Sequence, residues 1–259
     1  MDLYLVPVQQ FQSYLLCLAR VLALIAAIPA FTGIQMSARI KIILATMTAL
    51  LLFPAMEPLT PDPPFAPLEF GILLVNEVLI GLLIGLVAQM IFAAVTFGST
   101  VIGYQMGFAA ANVFDPQTTQ QLSLLSQVVN ILTILLFLST NMHHLFFRAI
   151  LESYTVLPPG LLDFSLGSVQ ELMKLASQMF VLGVQCSAPI LSILLLTNLA
   201  LGILARTVPQ LNVFMLSFPL NIGIGFLVMG LTLGALFTML HREFEGMMVH
   251  FLTLLRLLR

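Results

Sequence analysis

The sequence predicts an all-α membrane protein with about six apolar spans. Two observations carry this. Hydrophobic residues make up 60% of the chain and charged residues only 8%, where a soluble domain carries about 25% charged residues. The apolar runs are also long enough to cross a bilayer, which needs roughly 20 residues as helix. The net charge of -2 excludes nucleic acid as a partner, since phosphate binding needs clustered Lys and Arg.

The first span is expected over Tyr14 to Phe31, with Arg20 inside it and Pro29 near its end. An arginine within a span costs about 2.5–3.5 kcal/mol on insertion scales unless it is paired or snorkels to the surface. Both solutions are open for Arg20. No basic stretch precedes this span, so it reads as retained and not as a cleaved signal peptide. A second span runs over Ile40 to Phe53. The Pro54 to Pro67 stretch reads as a solvated, extended loop, because each X-Pro step disfavours helix at the residue before it.

From Leu68 to Ala111 the chain is apolar almost without interruption. At about 1.5 Å per residue it can cross a ~30 Å core twice, or once with a long extension. Glu77 lies inside it. Gly81-x-x-x-Gly85 and Gly103-x-x-x-Gly107 place glycine on one helical face, where another backbone can approach.

Gly98 to Gln121 then departs from the pattern. Glycines, the small patch Ala109 to Ala111, Asp115-Pro116 and a run of amides and hydroxyls follow one another. In hydrocarbon, backbone loosened by Gly and Pro needs partners from protein or water, so this segment is expected to line something. A span over Leu122 to Phe147 follows and ends near His143 and His144. Adjacent histidines do not share a helix face, which is poor geometry for one metal site. Pro158-Pro159-Gly160 is a turn. The next span covers Met173 to Leu204 and is expected to break at Pro189. A short polar turn, Arg206 to Asn212, joins it to the last span, Met215 to Leu240. The remainder, His241 to Arg259, alternates charge with Leu and Phe and reads as an interfacial helix.

Orientation is weakly marked. With an internal N-terminus, Arg148, Lys174, Arg242, Arg256 and Arg259 fall on the cytoplasmic side and Arg39, Lys41 and Arg206 outside. Cys17 and Cys186 read as small buried hydrophobes. The sequence carries no P-loop, Gly-x-Ser-x-Gly or His-Glu-x-x-His signature, so neither an enzyme nor a bound cofactor or metal is expected. A stand-alone proton-coupled secondary carrier is the alternative, with Glu77, Asp115, Arg20 and Arg206 as candidate intramembrane charges.

Gly103-Tyr-Gln-Met-Gly-Phe-Ala-Ala-Ala-Asn-Val-Phe-Asp-Pro116 resembles the central segment of the FliR family of flagellar export proteins. Arg206-Thr-Val-Pro-Gln-Leu-Asn-Val-Phe214, with Phe218-Pro219 after it, resembles that family's second hallmark. Arg20 to Pro29, followed by Ala38-Arg39-Ile-Lys41, is similar to its start. The resemblance covers essentially the whole chain, and virulence type III secretion homologues share the architecture. It implies one subunit joining several FliP and FliQ subunits in a helical gate, with FlhB and FlhA nearby. That gate sits in the flagellar basal body at the bacterial inner membrane and passes unfolded flagellar proteins. It further implies helical hairpins: a FliP-like part over about 1–172, a FliQ-like hairpin over about 173–240, and the tail 241–259.

On the same resemblance a loop over about Tyr104 to Gln121 closes the pore, with Gly103, Tyr104, Gln105, Met106, Gly107, Phe108, Asn112, Phe114, Asp115 and Pro116 as its candidate residues. Met106, Phe108 and Phe114 would supply bulk, and Met adapts its shape at low cost. Arg206, Pro209, Gln210, Asn212 and Phe214 are candidates for assembly or partner contact. Arg20 and Glu77 are the candidate intramembrane charges.

Overall fold

The computed structural model describes residues 8–29, 37–56, 65–108, 124–163, 165–210 and 212–259. Regular structure among the described residues is all helical. In chain order the helices are α1 (Val8–Ala27), α2 (Ala38–Met56), α3 (Pro67–Gln105), α4 (Leu124–Ser139), α5 (His143–Val156), α6 (Leu166–Thr207) and α7 (Val213–Leu257). Five of them are long and apolar enough to cross a membrane, and α4 with α5 would make a sixth span if taken together.

Local chemistry sets the helix ends. Pro67 opens α3, at the one position where its missing N–H and fixed φ cost nothing, and Glu69 in the first turn complements the helix dipole. Ser165 caps α6: its Oγ accepts the Ser168 N–H at 3.2 Å.

Three expectations are corrected here: α2 runs through Pro54 to Met56, where an extended loop was expected to begin, and the other two concern the spans that follow. The single span over Leu122 to Phe147 is two helices, bent by 66° at a short break. Asn141 causes the break, with φ +57. The Met142 N–H bonds to the Phe137 carbonyl at 3.2 Å and the Asn141 N–H to that of Leu138 at 3.1 Å. This is a Schellman stop, in which a residue in the left-handed region ends the helix. The third correction concerns Pro189, which lies inside α6 without breaking it. Membrane helices tolerate proline because neighbouring groups re-satisfy the freed backbone. Of the Leu68 to Ala111 run, the part up to Gln105 lies in the single 39-residue helix Pro67–Gln105, and residues 109–111 lie outside the described residues.

The chain divides into two compact units: Met1–Met90 with Phe137–Ala176 and Glu243–Arg259, and Ile91–Leu136 with Ser177–Arg242. In the first unit α1 packs along α2. The Tyr14 hydroxyl donates to the Thr46 carbonyl at 3.2 Å, the Cys17 thiol to that of Ala49 at 3.6 Å, and the Tyr14 and Phe53 rings meet edge-on. Gly81 faces the Arg20 carbonyl and Ala23, and Gly85 faces Ala27, with no room for a Cβ at either position. This glycine face therefore lets α3 lie directly on α1.

Residues of the tail complete the same core. Phe244 and Phe251 are buried and pack against Phe137 and Phe146, with ring centroids 5.3 and 5.9 Å apart. Residues 241–257 continue α7 without interruption. The Ser165 Oγ–H donates to the Leu257 carbonyl at 2.6 Å, and the Asp163 N–H to that of Leu258 at 2.9 Å. The capping serine of α6 is thus also the anchor for the end of α7.

In the second unit Gly98 and Gly183 bring α3 and α6 together. Each lacks room for a Cβ: Gly98 faces the Gly183 carbonyl, and Gly183 faces the Phe97 ring and the Ala94 carbonyl. Asn221 of α7 donates from Nδ2 to Asn198 Oδ1 of α6 at 2.9 Å, a polar tie of the kind that joins membrane helices.

Candidate functional site

The first candidate site lies in the first unit. Arg20 and Glu77 are both fully buried. Arg20 Nε donates to Glu77 Oε2 at 2.6 Å and Nη2 to Oε1 at 2.9 Å, a bidentate fork of the geometry that makes Arg–carboxylate pairs strong. Arginine therefore solves its burial here by pairing and not by snorkelling.

Helix α5 completes the cluster. Arg20 Nη1 donates to Ser153 Oγ at 2.8 Å, and Nη2 to the Leu157 carbonyl at 3.2 Å. That carbonyl is free of the helix because α5 ends at Val156 and Pro158 follows. The guanidinium lies 3.8 Å from the centre of the Tyr154 ring, a cation–π contact. The Tyr154 hydroxyl in turn donates to Glu77 Oε2 at 3.2 Å. Both carboxylate oxygens are thus bonded. The cluster ties α1, α3 and α5 together as a fixed brace, since removing one partner of a buried pair strands the other. Ser153 and Tyr154 carry no signal in the sequence, which marks no element between the span ending at Phe147 and the turn at Pro158.

The second candidate site is the end of α3, in the second unit. Tyr104 and Gln105 close the helix and are exposed, while Gly103 and Met106 are buried. The Phe108 N–H bonds to the Gly103 carbonyl and the Gly107 N–H to that of Tyr104, both at 3.1 Å. Gly107 has φ +91. This too is a Schellman stop, with glycine at the position that penalises a side chain. Met106 lies against Gly225 of α7, the Phe218 ring lies over Gly107, and Phe108 meets Phe226 edge-on. Asn112, Phe114, Asp115 and Pro116 lie outside the described residues.

The turn between α6 and α7 presents Arg206, Pro209, Gln210 and Asn212, all exposed. Asn212 caps α7: its Oδ1 accepts the Met215 N–H at 3.2 Å. Phe214 lies in the first turn of that helix. Among the described residues no hydrogen bond joins this turn to the end of α3. The Asn198–Asn221 pair was open to discovery in the sequence, as two amides in otherwise apolar spans.

Six potential spans, glycine-faced helix contacts and a buried ion pair define a polytopic helical membrane protein. A family model described as bacterial export proteins, family 1, matches residues 11–247. The flagellar biosynthetic protein FliR of Bacillus subtilis (strain 168) is 34% identical over 240 residues, covering 91% of each chain. That of Pectobacterium carotovorum subsp. carotovorum is 35% identical over 214 residues, 83% of this chain and 81% of the relative. That of Escherichia coli (strain K12) is 34% identical over 212 residues, 82% and 80%. The chain belongs to the FliR family of flagellar biosynthetic proteins, among the bacterial export proteins.

Proposed function

We propose that the chain is a channel-forming subunit of the flagellar type III export gate. It passes unfolded flagellar proteins across the bacterial inner membrane, and the segment from about Tyr104 to Gln121 closes the pore. Membership of a family of flagellar biosynthetic and export proteins carries the reading. In this proposal FliP and FliQ subunits surround the chain, with FlhB and FlhA on the cytoplasmic side. Residues 1–172 are the FliP-like part, 173–240 the FliQ-like hairpin, and 241–259 the tail.

Two features support it. The hairpin of α6 and α7 leaves large apolar side chains exposed, among them Leu195, Leu199, Leu227 and Leu231, which suits a chain covered by partner subunits. The segment after α3 begins with a built stop at Gly107 and contains bulky and polar residues fit to fill a wet lumen. The carrier reading draws on Glu77 or Asp115; Glu77 is held by Arg20 and Tyr154, and Asp115 lies outside the described residues.

Deleting Met106 to Phe114 tests the reading in cells that assemble the gate. The membrane should become permeable to ions and small molecules, and unchanged permeability would refute the pore-closing role. Isolation in mild detergent should bring down FliP and FliQ; a chain recovered alone that carries a small solute in liposomes would refute the gate.

A further inference from the structure

We propose that the outer face of α5 borders water at membrane depth: His144, Arg148, Glu152 and Thr155 line an aqueous cavity on a unit whose neighbouring outer face, on α2, is apolar. The inference stands apart from the export-gate reading, to which it adds a wet wall in the first unit.

Helix α1 fixes the depth. Its apolar window, Gln10–Ala27, has 18 residues, close to the minimum for a crossing, so the whole window lies in the membrane. Ser153 Oγ and the Leu157 carbonyl accept from Arg20, which stands near the middle of that window. Phe146 and Ile150 line one cavity with Leu24 and Ile28, at the window's end. Helix α5 therefore runs beside the second half of α1. Arg148 lies between those two levels, and Glu152 and Thr155 lie level with the Arg20 brace.

Positions 144, 148, 152 and 155 recur at helical spacing and share one face. His144, Arg148 and Thr155 are exposed and Glu152 is half-buried, while no large apolar side chain of α5 is exposed. The outer face of α2 has the opposite character, with Ile43, Met47, Leu50 and Leu51 exposed. Among the described residues neither the Arg148 nor the Glu152 side chain has an ion-pair or hydrogen-bond partner. Arg20, at the same depth, is fully paired. Ionisable groups inside a membrane face the bundle interior or a water-filled cavity, and these two point away from their own bundle. Arginine can snorkel to the surface along its long stem, but the glutamate stem is too short for that. Water on this face solvates both.

The test labels the assembled protein in permeabilised cells with a water-soluble maleimide, one introduced cysteine at a time; native Cys17 and Cys186 are buried. Arg148→Cys and Thr155→Cys should label severalfold faster than Met47→Cys and Leu51→Cys on α2. Thr155→Cys keeps every charge and nearly the same shape, so it reads the face even if Arg148→Cys lowers the amount of protein. Equal rates on the two helices, fast or slow, would overturn the proposal. Slow labelling at 148 and 155 in the assembled protein that becomes fast in the purified chain would also overturn it, by placing a polar partner on this face instead of water. These rates do not depend on pore closure, so unchanged permeability in the 106–114 deletion would remove the pore-closing role and leave this result standing.

Discussion

Arg20 and Glu77 meet through two hydrogen bonds of 2.6 and 2.9 Å, with no exposed surface on either side chain. Their helices start far apart in the chain, and the glycine face of α3 is what lets them come so close. Gly81 lies against the backbone carbonyl of Arg20 itself.

Breaking the pair on one side should be costly. Glu77→Ala leaves a buried guanidinium unpaired, and Arg20→Ala leaves a carboxylate, at about 3–5 kcal/mol each. Arg20→Lys should rescue poorly, since an ammonium cannot reproduce the fork. The double variant Arg20→Met/Glu77→Leu removes both charges and should be less damaging than either single change. Thermal unfolding of the purified protein in mild detergent checks this ranking. A double variant as unstable as the sum of the singles would show that the brace is not a pairwise unit.

Asn141 is exposed and its role is conformational. Asn141→Gly should preserve the break between α4 and α5. Asn141→Val should destabilise by about 1–2 kcal/mol, the cost of a left-handed backbone for a branched residue. Equal melting temperatures for the two variants would refute this.

Asn212 separates two roles that the sequence leaves merged. As a helix cap it should tolerate Ser or Asp, while Ala should cost about 1 kcal/mol. Amide exchange at residues 213–216 reads the cap directly. Assembly in mild detergent reads partner contact. If Asn212→Ser keeps the exchange protection but loses assembly, partner contact outweighs the cap.

The apolar spans were legible because the bilayer imposes a length and a composition on every crossing. One glycine face was legible: Gly81 and Gly85 lie against α1 as their spacing suggests, whereas Gly107 shares no helical face with Gly103, because it lies past the end of α3 with φ +91. What the sequence could not show was partnership between distant residues. Arg20 and Glu77 stood out as charges, but their pairing depends on how α1 and α3 pack. Ser153 and Tyr154 did not stand out at all. The break at Asn141 was concealed because its signal is one backbone angle, at a residue type equally at home in a polar helix end. Proline misled in the opposite direction. An interior proline lacks an N–H and crowds the turn before it, but α6 runs through Pro189. Most of the candidate pore segment, residues 109–121, lies outside the described residues, so its reading stands on resemblance alone.

The bond from Ser165 to Leu257 spans 92 positions of sequence and imposes an order on biosynthesis. The first compact unit draws on early, middle and late stretches of the chain. While a ribosome is making the later stretch of the second unit, Ser177–Arg242, Phe137 and Phe146 have been made but Phe244 and Phe251 have not. A nascent chain therefore carries an open aromatic wall for much of its synthesis. The same is true of the α6 cap, whose serine waits for a carbonyl delivered near the end. Closure of this unit is a late event, and a ribosome stalled before residue 243 leaves behind a chain whose first-made helices have no finished core to join.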